Sequence, residues 1–155
     1  VGRAPRRLDT AIRFGATHVI DSSEKDTETE VRALLPGGVD HALDLVGLAA
    51  TQELCWRLLD VGGTAYLMGM SAHGTTMSID TAESHRAQKN LTQLYLGASQ
   101  PRRDIPRYAA MYLDGRLELD ALVSQTISLE DIDAANVQLE RGDVLRSVVT
   151  FGSPR

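Results

Sequence analysis

The chain has 155 residues, enough for one hydrophobic core, and a single domain is the default at this length. Its net charge of −5 argues against a dedicated nucleic-acid binder, and no apolar run approaches the roughly 20 residues that a membrane span needs. The single cysteine, Cys55, excludes an internal disulfide and a cysteine-based zinc cluster. A reduced, cytoplasmic setting is therefore expected.

Helices and strands are predicted to alternate along most of the chain. Helices are predicted where apolar residues recur every three or four positions, and strands where short apolar runs end at turn residues. In chain order these are a helix over 5–14, a strand over 18–21, a helix over 26–35, a strand over 39–46, a helix over 49–60, a strand over 64–70, a weak edge strand over 76–80, a strand over 91–97, a helix over 104–114, a strand over 123–128, a helix over 128–141 and a strand over 144–151. Such alternation favours a mostly parallel sheet.

The segment 36–70 is the clearest part of this pattern, with a strand, a helix and a second strand. Gly62 and Gly63 are expected to end the helix, because glycine adopts left-handed geometry cheaply. The carboxyl ends of two such strands face one crevice, where open α/β sheets bind ligands. The predicted strand ends are Leu45-Val46-Gly47 and Met68-Gly69-Met70.

The residues alone reveal no catalytic or metal-ligating constellation. The four histidines are scattered without an i, i+4 pair, and we interpret them as surface or supporting groups. Asp40 and Asp44 are interpreted as solvated or capping groups, and Tyr108 and Tyr112 as core residues. No glycine-rich phosphate loop is present. The residues thus predict a nucleotide-type α/β layout without its phosphate loop.

Two short motifs, GATHVI at 15–20 and RSVVTF at 146–151, are fairly specific when they occur together. With the pieces at 7–14, 38–47, 62–70, 94–97 and 142–145, they resemble the C-terminal part of zinc-type alcohol dehydrogenases of the medium-chain dehydrogenase/reductase family. The resemblance implies an α/β fold with a partial, doubly wound Rossmann domain and a mostly parallel sheet over residues 1–122. That domain would lack its first strand and glycine-rich turn. Residues 123–155 would be the return segment of the catalytic domain.

The resemblance implies a nicotinamide dinucleotide, NAD or NADP, as cofactor and a small alcohol or aldehyde as substrate. Arg146 matches the arginine that reaches the pyrophosphate, a task that suits the planar guanidinium fork. Gly2, Arg3 and Arg7 match the strand end beside the adenosine ribose. The other matching positions lie along the cofactor path at three strand ends: Leu45, Val46, Gly47, Met68, Gly69, Met70, Leu94, Tyr95 and Leu96.

Gly2 departs from the pattern of NAD-preferring members, which carry an acidic residue at this position. An acid there would repel a 2′-phosphate, whereas Gly2 followed by Arg3 accommodates one. Arg7 does not discriminate, because a basic residue also touches the ribose in NAD-using members. We therefore expect the parent enzyme to tolerate or prefer NADP.

The resemblance places the zinc ligands and the proton relay in residues that would precede Val1, so no catalytic or metal residue is expected in this chain. Zinc is expected only in a full-length parent. The isolated chain is expected to be inactive and to bind cofactor weakly or not at all. The segment 75–80 matches a strand that pairs across a two-fold axis in dimeric members, which implies a homodimer contact around Met77–Ile79.

Two alternatives remain open at this point. One is a zinc-free quinone or enoyl reductase of the same fold, which the sequence upstream of Val1 would distinguish. The other is a non-catalytic nucleotide-binding or scaffold module, which titration with NAD and NADP would distinguish.

Overall fold

The computed structural model describes residues 1–152 of the chain. Its helices are α1 (Pro5–Arg13), α2 (Thr27–Leu34), α3 (Ala49–Leu58), α4 (Thr81–Ala87), α5 (Pro101–Leu113) and α6 (Ile132–Arg141). Its strands are β1 (Val39–Asp44), β2 (Leu59–Leu67), β3 (Asn90–Gln93), β4 (Gln125–Ile127) and β5 (Ser147–Val149). Short 3₁₀ turns lie at Tyr95–Ala98, Asp120–Leu122 and Leu129–Asp131.

The chain divides into two compact units, each with its own sheet. The first is continuous, Lys25–Ser99, and contains the three-stranded sheet in the order β1-β2-β3. The second combines Val1–Glu24 with the segment that begins at Gln100, and it contains the pair β4-β5. The strand pairs of both sheets are parallel, and the predicted α/β class is confirmed. The predicted boundary between a Rossmann domain and a catalytic domain after residue 122 stays a prediction.

The core of the Lys25–Ser99 unit lies between its sheet and α3. Ala42, Trp56, Leu59 and Ala65 are buried together, and Ala65 is completely inaccessible. Because side chains alternate along a strand, Ala42 faces α3 while its neighbour His41 lies on the exposed side. Small residues at 42 and 65 leave room for the Trp56 ring against the sheet. No helix in the described part of the chain is long and apolar enough to cross a membrane.

β2 begins earlier than predicted and contains the glycine pair that was expected to end α3. Leu59 follows α3 directly, and the register against β1 shifts between Val39, which pairs with Leu59, and His41, which pairs with Thr64. The extra residues form an irregularity in which Gly62 has a φ of 76°. The prediction was wrong because glycines mark a bulge inside a strand as well as the end of a helix.

α4 is absent from the predicted elements, although its start follows the usual capping rule. The Asp80 carboxylate accepts from the backbone N–H groups of Ala82 and Glu83 at 2.8 and 3.0 Å. These two hydrogen bonds hold the pKa of Asp80 below its usual value, and the bond from the Glu83 N–H has the larger effect. At the far end of the segment the Lys89 ammonium pairs with Glu83 at 2.6 Å and lies 5.8 Å from the centre of the Trp56 ring. Asp80 thus caps this polar helix, and Lys89 connects it to the core residue Trp56.

α5 begins before Asp104, which we predicted as its cap. The Asp104 carboxylate instead lies in the first turn, where it accepts from the backbone N–H of Gln100 at 2.7 Å. The predicted core residues Tyr108 and Tyr112 are 49% and 37% exposed. The Tyr112 hydroxyl donates to Asp120, which raises the pKa of Tyr112. The helical period correctly indicated that α5 has one apolar side. It could not predict how far that side is buried.

Two predicted strands are not formed as strands within residues 1–152. At 18–21 only one parallel bridge forms, between Gly2 and Asp21. At 76–80 the backbone joins no sheet, although Met77 and Ile79 pack against the core of the Lys25–Ser99 unit. Strands are stabilised by hydrogen bonds to neighbouring strands, so a suitable composition is not sufficient to form one.

Candidate functional site

The carboxyl ends of β1 and β2 lie in direct backbone contact. Gly47 has a φ of 85°, and a Cβ on Gly47 would stand 2.6 Å from the carbonyl oxygen of Met70. A Cβ on Gly69 would overlap the backbone nitrogen of Gly47. Both positions therefore require glycine. The structure brings together the predicted strand-end residues 45–47 and 68–70.

Asp44, the last residue of β1, bonds to both loops. Its side chain is buried, and its Oδ2 accepts from the Gly47 N–H at 2.9 Å. Its Oδ1 accepts from the Val46 N–H at 3.2 Å and from the Thr51 hydroxyl at 2.7 Å. Its backbone carbonyl accepts from the N–H groups of Met68 and Gly69, each at 2.9 Å.

Asp44 was interpreted as a solvated or capping group, and the structure agrees with capping: its carboxylate accepts from loop N–H groups, and the loop after β1 folds back and buries it. An acidic residue at an inward-facing strand position is the signal that sequence reasoning missed.

A second side-chain bond joins α3 to the loop after β2. Gln52 is buried, and its Nε2 donates to the Ser71 hydroxyl oxygen at 2.9 Å. Cys55, one helical turn further along α3, is half-buried. Burial, and secondarily the negative charge of Asp44, raises the pKa of the Cys55 thiol. Because the thiolate is the reactive and metal-binding form, this environment suits a structural cysteine.

Exposed apolar side chains surround the strand ends. Leu45, Val46 and Met70 are 73%, 61% and 81% exposed, and Tyr95 and Leu96 beyond β3 are similarly open. Apolar groups at the carboxyl ends of an open parallel sheet fit the flat faces of a bound ring system. The carboxyl ends of the sheet therefore expose apolar side chains at the positions predicted to bind the cofactor.

The chain beyond β3 is conformationally strained at this same edge. Leu94 donates its N–H to the Leu67 carbonyl at 2.9 Å, which aligns the third strand end with the second. Leu96 and Ala98 then adopt φ values of 48° and 54°, on either side of Gly97 at 63°. A left-handed conformation costs a residue with a Cβ about 1–2 kcal/mol. Such strain is concentrated at ligand sites in many proteins.

The residues predicted to lie beside the adenosine ribose belong to the other compact unit. Gly2 donates its N–H to the Ile20 carbonyl at 3.0 Å and accepts from the Ser22 N–H at 2.8 Å. A Cβ on Gly2 would meet only the flexible end of Leu8, at 3.1 Å. The carboxylate of Asp21, the bridge partner of Gly2, accepts from the hydroxyl and N–H of Ser23, which lowers the pKa of Asp21.

The three predicted arginines, Arg3, Arg7 and Arg146, belong to this second unit as well. Arg7 donates Nη2 to the Leu139 carbonyl at 2.6 Å, at the C-terminal end of α6. Arg146 is exposed and donates Nη1 to the carbonyl of Leu145 at 2.8 Å. A guanidinium carries five N–H donors, so either arginine can still bind phosphate or ribose oxygens.

Residues 1–152 contain no group of three His, Cys, Asp or Glu side chains arranged to hold a metal. The described part of the chain therefore does not offer a ligand set for zinc, and no step of a mechanism is derived through that metal.

Residues 1–113 match the family model described as zinc-binding dehydrogenase. The chain belongs to this family. The predicted resemblance to zinc-type alcohol dehydrogenases is confirmed, and the Rossmann-type fold with it. Class-P alcohol dehydrogenase of Arabidopsis thaliana is 23% identical over 155 residues, which cover 96% of this chain and 40% of that protein.

Solved structures of dehydrogenases agree with the family match. Benzyl alcohol dehydrogenase from Acinetobacter calcoaceticus matches with a TM-score of 0.89 at 25% identity, covering 97% of this chain and 41% of that one. A zinc-binding dehydrogenase from Sinorhizobium meliloti 1021, solved with NADP bound, matches with a TM-score of 0.72 at 25% identity, covering 97% and 41%. The chain spans about 40% of the length of the curated relatives it matches.

We expect Gly69→Ala to lower the free energy of unfolding by about 1–3 kcal/mol, the usual cost of overpacking. The new Cβ would collide with the Gly47 backbone, which cannot move without displacing both strand ends. Denaturant unfolding followed by circular dichroism measures the change. Gly152→Ala is the matched control, because a Cβ there meets nothing within 4 Å. Equal stability of the Gly69→Ala variant and the unsubstituted chain would contradict the packing described.

Proposed function

We propose that this chain is the C-terminal part of an NAD(P)-dependent oxidoreductase that transfers a hydride between an alcohol and nicotinamide. The observation that carries the proposal is the match of residues 1–113 to the zinc-binding dehydrogenase family. The NADP bound to the Sinorhizobium meliloti relative and the alcohol dehydrogenases among the curated relatives support it. A cytoplasmic enzyme with zinc in its full-length form is the version we favour.

The residues of this chain would bind and orient the dinucleotide. Nicotinamide, when bound, supplies the carbon that accepts or donates the hydride. Leu45, Val46 and Met70 offer apolar surface to its rings, and the backbone at 94–96 lies at the adjoining strand end. Arg146 would pair with pyrophosphate oxygens, because its exposed fork matches their geometry. Proton transfer and substrate activation are assigned to residues outside this chain.

NADP is the proposed cofactor because of the surroundings of Gly2. No side chain occupies the position at which an acid would repel a 2′-phosphate, and the exposed cation Arg3 follows directly.

The test of the function compares the 155-residue chain with the product of the complete reading frame that contains it. We expect the complete product to oxidise small primary or aromatic alcohols with NAD or NADP, followed as reduced nicotinamide at 340 nm. We expect the 155-residue chain to show no turnover and weak or undetectable cofactor binding by calorimetry. Turnover by the 155-residue chain would contradict the location of the catalytic groups. A complete product that neither binds nor reduces either cofactor would contradict the function.

We expect Gly2→Asp to shift the ratio of kcat/KM for NADP over NAD by about tenfold or more towards NAD, or about 1.4 kcal/mol. The new carboxylate would repel the 2′-phosphate and accept from the ribose hydroxyls of NAD. Gly2→Ala is the matched control, since it adds the same Cβ beside Leu8 without a charge. The proposed selectivity would be refuted if Gly2→Asp and Gly2→Ala had the same ratio of kcat/KM for NADP over NAD. A strong preference of the unsubstituted protein for NAD would also refute it.

The proposal includes a homodimer through the segment 75–80. Met77 and Ile79 fix this segment on the core of its unit, and the Ser78 N–H donates to the Glu53 carboxylate at 2.9 Å. A segment held in this way but paired with no strand in residues 1–152 is suited to pairing with its copy across a two-fold axis. Light scattering during size-exclusion chromatography of the complete product should give a dimer mass. A monomer at every concentration would count against the contact.

A further inference from the structure

We infer that Asp44 is a positioning residue for the dinucleotide, because its buried carboxylate fixes the loop after β1 while its backbone carbonyl holds the chain after β2. The inference rests on the proposed function and assigns to that site a residue that touches no cofactor. The strand-end latch is defined here as Asp44 with the groups it binds: the N–H groups of Val46 and Gly47, the Thr51 hydroxyl, and the N–H groups of Met68 and Gly69.

The carboxylate and the backbone carbonyl of Asp44 together accept five hydrogen bonds. Asp44 is 2% exposed, and its two carboxylate oxygens accept from three donors on the β1 side. Its carbonyl accepts from two donors on the β2 side. A buried N–H that loses its acceptor is strongly unfavourable, so these donors hold their positions only while the acceptors are present.

The latch determines which groups the loop after β1 exposes to a ligand. The Val46 N–H points inward to Asp44 while the Val46 side chain is 61% exposed. The Gly47 N–H is held in the left-handed turn that puts its backbone against Gly69. Without the carboxylate, the loop would be free to leave Gly69, and the apolar surface at Leu45 and Val46 would no longer be preorganised. Preorganisation reduces the ordering cost that binding must overcome.

A structural role for Asp44 and a positioning role predict different effects of substitution on cofactor binding. A structural role predicts that any substitution of equal destabilisation has the same effect on cofactor binding. A positioning role predicts weaker binding beyond the loss of stability, with a higher KM for the dinucleotide and a smaller change in kcat. Leu59→Val supplies the comparison, because Leu59 is buried at the opposite end of β2 from the latch.

The experiment uses the product of the complete reading frame, with NADPH and NADH as probes. Asp44→Asn keeps the size of the side chain but replaces one acceptor oxygen with an amide that cannot accept from N–H. Thr51→Val removes one donor and leaves the two backbone bonds. Each variant is measured for dissociation constants by fluorescence titration, for KM and kcat, for denaturant unfolding, and for hydrogen exchange at the Val46 and Gly47 amides.

We expect Asp44→Asn to raise the dissociation constant and KM by about tenfold or more, equivalent to about 1.4 kcal/mol. Faster exchange at the Val46 and Gly47 amides should accompany it, and Thr51→Val should show a smaller increase of the same kind. Leu59→Val should lose stability with unchanged affinity. Unaltered affinity in Asp44→Asn, or weakening that parallels stability in both Asp44→Asn and Leu59→Val, would overturn the inference. If the unsubstituted protein binds neither cofactor, the proposed function fails. If it binds a cofactor and Asp44→Asn binds equally well, only the inference about Asp44 fails.

Discussion

The close approach of Gly47 and Gly69 is the constraint on which the candidate site depends. Parallel strands end at one edge of a sheet, but the loops that follow can touch backbone to backbone only where no Cβ intervenes. The left-handed turn at Gly47 directs the chain against the end of β2. The neighbouring side chains Leu45 and Met70 are then turned outward. The exposed apolar surface at the strand ends thus depends on the two glycines as much as on the apolar side chains themselves.

Asp44 shows how a charged group becomes favourable in a buried position. An acid inside a protein is costly unless donors surround it, and the end of a strand is where the backbone turns and leaves N–H groups without ladder partners. The loop supplies those N–H groups, and the carboxylate satisfies them. The same strand accordingly combines Ala42, which packs in the core, with an acid only two residues later.

Sequence reasoning succeeded where the determining interactions are local. The strand, helix and strand of residues 36–70 were predicted because apolar runs and helical periodicity are visible in short windows. The start of β2 was missed, since it depends on register against β1 and not on composition. The burial of Asp44 was missed because it follows from a loop folding back over the side chain. The predicted cofactor positions came from family resemblance, because residue types such as Leu45 or Gly69 carry no chemical signature of their own.

The contact between Arg7 and the Leu139 carbonyl joins residues 132 positions apart in the sequence. Closing so long a loop costs entropy that local contacts do not, and contacts of high sequence separation slow folding. The unit that contains this contact is discontinuous in sequence, whereas Lys25–Ser99 is one uninterrupted segment. On a ribosome the continuous unit has all of its residues before α6 has been synthesised. The order of synthesis therefore favours early folding of the sheet that carries the strand-end latch, before the discontinuous unit can be completed.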